Sequence, residues 1–213
     1  MKLDPQTLAI LENFGTINQG IVIKPGSRLR TYAVLENIFA ACDVPNEFPR
    51  EFAVYDLNEL LATLSLLKDP DLEFKNDHIL ITSGGTRVKY FYSSPAVVVV
   101  PPTNDISLND PMATLVLKSD DIKRIQKSAA ALKLKELQFC SDSIKAFNSN
   151  AVGNQISIDV EVDGDISSPK VIKIDNLKMI DGDYDVTVYG PAIKFQSRTI
   201  PSLFYFVTVE SDK

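Results

Sequence analysis

The sequence holds no tryptophan, one histidine and two cysteines in 213 residues, and these shortages close off several chemistries. Cys42 and Cys140 lie far apart and match no metal-site or redox spacing, so they read as small buried hydrophobes of a reducing compartment. The lone His78 follows Asp77 in a strand-like stretch and is expected as a surface strand residue, not a general base. No GxSxG, P-loop, HExxH or GxGxxG motif occurs, so no catalytic residue, cofactor or metal is expected and the chain does not read as an enzyme. The longest apolar run, Ala96 to Pro102, is too short to span a bilayer. The opening MKLDPQTLAILENFG lacks the pattern of a secretory signal, and a soluble intracellular protein is expected. Basic residues are also in the minority, 22 Lys and Arg against 28 Asp and Glu, with a net charge of −6. That balance excludes a uniformly basic nucleic-acid binder and leaves the local distribution of charge to decide.

What is present is hydrophobic content of 45%, enough for packed cores, arranged in two halves of one plan. The first half opens with a helix: Asp4 as N-cap, Pro5 at the first helical position, Leu8, Ile10, Leu11 and Phe14 as an apolar stripe, and Gly15 past its end. Strands are expected at Gly20 to Ile23, Arg28 to Leu35, Ile38 to Asp43 and Phe52 to Tyr55, with PNEFPRE breaking the pattern. A second helix, Asp56 to Leu67, is capped by Asp56, and strands follow at Leu72 to Phe74, His78 to Thr82 and Arg87 to Tyr92, with Gly84-Gly85 as a hairpin turn. PPTNDISLNDP reads as a linker. These signals divide the chain into domains 1–103 and 112–213, joined by 104–111.

The second half repeats helix and strands. A strand at Ala113 to Leu117 precedes a helix at Ser119 to Leu132, with Ser119 as N-cap and Ile122, Ile125, Ala129 and Leu132 on its apolar face. Strands are expected at Glu136 to Cys140, Ile144 to Asn148 and Gln155 to Val162, a short helix at Ile174 to Ile180, and strands at Tyr184 to Tyr189, Ala192 to Gln196 and Leu203 to Val209. VYDLNEL in the first half echoes KIDNLKMI in the second, which suggests an internal duplication.

The informative charge feature is the helix SDDIKRIQKSAAALKLK. From Lys123 to Lys135 it carries five basic residues and no acid. Lys123, Arg124 and Lys127 share one side at helical spacing, and Asp120 and Asp121 occupy the first turn, where the helix dipole favours them. Such a face is either an ordinary solvated surface or one that meets phosphates. No aromatic residues interleave with the charges, so any contact with DNA would engage the backbone without sequence preference. The acidic stretches Asp159 to Asp165 and Asp181 to Asp185 lack the terminal Glu of a calcium loop and read as structural turns. A non-DNA interaction scaffold remains the rival reading, and an enzyme with an acidic metal site at Asp159 to Asp165 a second.

The chain resembles the sliding clamps of T-even-type bacteriophages along nearly its whole length. The resemblance rests on the opening LAILENFGTINQGIVIKPG, on VYDLNELLATLSLL, on the basic SDDIKRIQKSAAALKL, on KIDNLKMIDGDYDVTVYG and on the closing FVTVESDK with its short acidic tail. It implies an α+β DNA-clamp fold of two similar domains, each with two helices packed on antiparallel sheet. It further implies a homotrimeric ring around duplex DNA, loaded by an ATP-dependent clamp loader, tethering a DNA polymerase and coupling to late transcription in the cytoplasm of an infected bacterium. Carried over by position, the DNA-facing residues are Lys123, Arg124, Lys127, Lys133 and Lys178. The resemblance places a partner's peptide against Ile106, Leu108 and Val209. The first helix departs from the family in carrying Pro5 and Glu12 where relatives more often have lysine, with Lys2 and Lys68 as the nearest substitutes. Most DNA-facing charge is therefore expected from the second domain.

Overall fold

Helix caps and turn residues place most boundaries in this chain. The computed structural model describes residues 1–104, 106–150 and 152–210, so Asp105 of the linker and the end of the acidic tail, 211–213, lie outside the described residues. The chain divides into two units, Met1–Thr103 and Asn104–Lys213.

The first unit opens with α1 (Pro5–Ile17), where the Asp4 carboxylate accepts the Gln6 N–H at 2.8 Å. That contact satisfies one of the unpaired donors of a helix start. Ile10, Leu11, Phe14 and Ile17 are buried. Gly15 lies inside α1 and not past its end, and a Cβ there would stand 2.8 Å from Oδ1 of Asn58, a residue of α2 (Leu57–Ser65). Asp56 caps α2 by accepting the Glu59 N–H at 3.1 Å. β1 (Ile21–Ile23) pairs antiparallel with β4 (Phe52–Val54), and β2 (Gly26–Tyr32) with β3 (Ile38–Phe48). β3 continues through PNEF, where the sequence suggests a break. The register shifts between Gly26 and Arg28, opposite 44–47, so Pro45 sits at an irregularity where its missing N–H costs no ladder bond. β5 (Asp71–Phe74), β6 (His78–Ser83) and β7 (Thr86–Phe91) form an antiparallel three-stranded sheet. Gly84 and Gly85, with φ of +51° and +88°, make the two-residue turn between β6 and β7.

The second unit begins with β8 (Ala113–Leu117) and α3 (Ser119–Leu132). Two antiparallel sheets follow. β9 (Glu136–Phe139), β10 (Ser143–Phe147), β11 (Ile156–Asp159) and β13 (Lys170–Lys173) form a sheet in the order β11-β10-β9-β13. β12 (Val162–Gly164), β14 (Tyr184–Val188), β15 (Ala192–Ser197) and β16 (Phe204–Thr208) join β8 in the order β12-β8-β14-β15-β16. The alternating stretch 155–162 is therefore not one strand. β11 pairs with β10, and the chain crosses at Val160–Glu161 so that β12 pairs with β8. Gly164 permits the close end of the β12–β8 pairing, since a Cβ at its φ of +108° would stand 2.4 Å from the Met112 carbonyl. β13, for which the sequence reading holds no strand, closes the free side of β9.

Three expectations for this unit's helical elements need correction. Ser119 is not the N-cap of α3. Lys118 holds that position without a side-chain bond, and the Ser119 N–H is capped from a distance by Oδ1 of Asp183 at 2.8 Å. Leu132, expected on the apolar face with Ile122, Ile125 and Ala129, ends the helix 38% exposed. The expected short helix 174–180 is a single 3-10 turn, Ile174–Asn176. Side chains take its later backbone groups and remove the need for a helical ladder. Gln126 Nε2 donates to the Leu177 carbonyl at 3.1 Å, the Tyr184 hydroxyl donates to the Ile180 carbonyl, and the Ile180 N–H donates to the Tyr205 hydroxyl at 3.3 Å.

Those tyrosines are fully buried with Phe139 and Phe195. Their rings meet edge to face, Tyr184 on Tyr205 at 6.1 Å, Tyr184 on Phe195 at 6.4 Å and Phe139 on Phe195 at 6.3 Å. Each such ring contributes about 1.5–3 kcal/mol through burial alone. Burial also pushes the Tyr184 phenol well above its ordinary pKa, so it stays a donor throughout the working pH range.

Replacing Tyr184 with Phe removes the donor to Ile180 while keeping the ring, and is expected to cost about 1–2 kcal/mol, read as a lower urea midpoint. Asp183→Ala removes the remote cap of α3 and is expected to cost about 1 kcal/mol; circular dichroism through a urea titration measures it, and an unchanged midpoint would show that solvent caps Ser119 equally well.

Candidate nucleic-acid interface

The apolar face of α3 fixes which side of the helix meets water. Ile122, Ile125 and Ala129 are buried, so Lys123, Arg124 and Lys127 are turned outward and exposed. The three sequence-expected cations thus do share one exposed face. Their electrostatic states differ. Lys123 Nζ lies 2.5 Å from Oδ2 of Asp181. Arg124 stands 3.7 Å from Asp121 one turn back, a loose pairing in which the guanidinium stays 60% exposed. Lys127 carries no ion pair among the described residues.

The other two expected cations are exposed and lie outside the regular helix. Lys178 is exposed and follows Leu177, whose carbonyl is bonded to Gln126 of α3, which ties its backbone to the middle of the basic helix. It stands past a 3-10 turn and not on a helix. Lys133 terminates α3 in the left-handed conformation, with φ of 56° and an exposed side chain. Its carbonyl accepts from Asn148 Nδ2 at 3.0 Å, and a cation there complements the negative end of the helix dipole.

Two residues that govern this face were not expected to take part in it. Asp181 and Asp183 lie in the turn before β14. One oxygen of Asp181 accepts the Ser119 hydroxyl and the other meets Lys123, while Asp183 accepts the Ser119 N–H. The contact with Lys123 is the leading cause that holds the Asp181 carboxyl below its usual range and raises the Lys123 ammonium, so both stay charged at neutral pH. The acidic DGDYD run is visible in the sequence, but nothing in its spacing says that it folds back on a helix more than fifty positions earlier.

In the first unit, Glu12 on α1 is exposed and Lys2 is paired with Asp69. Lys68 lies beyond the end of α2, its carbonyl taken by the Ser83 hydroxyl. The residues expected to seat a partner peptide are half-buried: Ile106 and Leu108 in the segment before β8, and Val209 after β16, where its N–H donates to the Pro191 carbonyl at 2.9 Å.

The family described as DNA polymerase processivity factor matches residues 2–99. The sliding clamp of Vibrio phage KVP40 is 34% identical over 99% of this chain and 100% of its own length. The sliding clamp of Escherichia phage RB69 is 26% identical over 100% of this chain and 98% of its own, and that of Enterobacteria phage T4 is 27% identical over the same shares. Among solved structures, the proliferating cellular nuclear antigen of Entamoeba histolytica superposes with a TM-score of 0.67 at 10% identity, covering 96% of this chain and 94% of that one. That of Thermococcus kodakaraensis gives 0.67 at 12% identity, covering 96% of each. At such identities the likeness is one of fold, and the fold is the clamp fold expected from the sequence. Full-length similarity to the phage proteins goes further: this chain belongs to the family of phage sliding clamps, the DNA polymerase processivity factors.

Proposed function

We propose that three copies of this chain close into a ring around duplex DNA and tether a replicative DNA polymerase to its template. The observation that carries the reading is the outward face of α3, where Lys123, Arg124 and Lys127 concentrate positive charge in a chain of net charge −6. Lys178 and Lys133 extend that face. Each copy contributes two clamp domains, 1–103 and 112–213, joined by 104–111. The ring is not an enzyme: it supplies topology, and the chemistry belongs to its partners.

Duplex DNA presents about one negative charge per 1.7 Å of axis. A few exposed cations facing it give weak, exchangeable contacts that hold the duplex without fixing a register, which is what sliding requires. Phosphate contacts of this kind carry no sequence information. The acidic remainder of the surface repels DNA and confines attraction to the basic face. An ATP-dependent loader opens the ring, and the polymerase docks by a short peptide against Ile106, Leu108 and Val209. The ring also couples replication to late transcription, and the work is done in the cytoplasm of the infected bacterium.

Primer extension with the cognate polymerase and loader tests the topology directly. Stimulation is expected on circular templates and is expected to vanish on linear templates with free ends. Equal stimulation on both would discard the ring. The double variant Lys123→Ala with Lys127→Ala is expected to shorten products severalfold while sedimentation still reports a trimer. Full-length products from that variant would remove α3 from the DNA-facing surface, and a monomer at working concentration would favour an interaction scaffold over a clamp.

A further inference from the structure

The basic face of α3 is not equally available along its length. Lys123 and Lys127 are one turn apart, yet Lys127 stands without an ion pair among the described residues while Lys123 meets Asp181 at 2.5 Å. Asp181 is not a mobile carboxylate that happens to be near. Its turn is anchored by the Ile180 backbone, held at both ends by the hydroxyls of the buried Tyr184 and Tyr205. Its first oxygen is taken by the Ser119 hydroxyl, which leaves the second aimed at Lys123. Asp183 fixes the same turn from its other side through the Ser119 N–H.

We propose that Asp181 is a resident competitor of the DNA phosphates for Lys123, so that α3 offers two standing cations, Arg124 and Lys127, and one latent cation, Lys123. The proposal rests on the reading of α3 as a DNA-facing helix. Side chains 47% and 62% exposed form a pair that water and salt screen, so the pair adds little to stability. A phosphate can therefore displace the carboxylate with little net change in energy. When the duplex advances, Lys123 returns to Asp181 without being left bare. Exchange between two anions lowers both the depth of each contact and the barrier between successive ones, which suits a protein that must hold DNA and not grip it. Both groups stay ionised at neutral pH, so the exchange is one of partners and not of protons.

The test is a titration of a short fluorescein-labelled duplex with the full-length trimer over a series of low ionic strengths, read by anisotropy. Asp181→Asn removes the charge and keeps an acceptor for Ser119. It is expected to bind more tightly than wild type, with a plot of log K against log salt steeper by about 0.9 for each copy whose Lys123 meets the duplex. Adding Lys123→Ala to Asp181→Asn is expected to cancel that gain. Lys127→Ala, which touches neither partner, is expected to flatten the plot. If Lys127→Ala flattens it and Asp181→Asn leaves it at the wild-type slope, the competitor is overturned and the DNA-facing reading stands. If neither Lys127→Ala nor the Lys123→Ala, Lys127→Ala double variant changes the slope, the DNA-facing reading itself falls. Asp181→Ser, a shorter uncharged acceptor, replaces Asn should the first variant melt early, and an unchanged slope in it overturns the proposal equally.

Discussion

A single backbone residue, Ile180, is held between two buried phenols, and much of the second unit's surface depends on that arrangement. Tyr184 and Tyr205 have no exposure, yet each carries a hydroxyl that must be satisfied. The Ile180 carbonyl and N–H satisfy them. A core assembled for packing thereby dictates the path of an exposed turn. The turn carries Asp181 and Asp183 to the start of α3, caps the helix and pairs its first lysine with a carboxylate. Packing, helix capping and surface electrostatics are in this way one connected structure, with the ring cluster at its base.

Charge is disposed with the same economy elsewhere. Lys75 is matched with Glu73, Arg28 with Asp43, Arg198 with Asp185 and Lys173 with Glu210. Each pair is exposed and contributes little to stability. Their collective effect is on the field: cations with a carboxylate alongside do not build a positive surface. Three cations on one outward face of α3 are a local concentration of charge, by which an acidic protein can hold a site that attracts phosphate. In the first unit Lys2 is engaged with Asp69 and α1 exposes Glu12.

The helices and most strands were legible from local signals. Asp4 and Asp56 cap α1 and α2 as their positions before apolar periodic segments suggest, and Gly84-Gly85 turns the hairpin of β6 and β7. Signals failed where partners distant in sequence settled the outcome. The alternation of 155–162 is compatible with one strand, and its division between two sheets is set by pairing with two different strands, β10 and the distant β8. Ile174 to Ile180 has helical spacing, but Gln126, Tyr184 and Tyr205 claim its backbone groups one by one. Ser119 has the chemistry of an N-cap, and a carboxylate 64 positions later does the capping.

The sequence by itself determined the membership in a clamp family, the α+β class and the concentration of lysine and arginine on one side of α3, because these rest on local periodicity and on the order of motifs along the chain. The tertiary structure alone decided which of those cations stands free. Whether Lys123 or Lys127 meets a carboxylate depends on where the 180–183 turn is carried by two buried tyrosines, and a long-range contact of that kind leaves no periodic trace in the sequence.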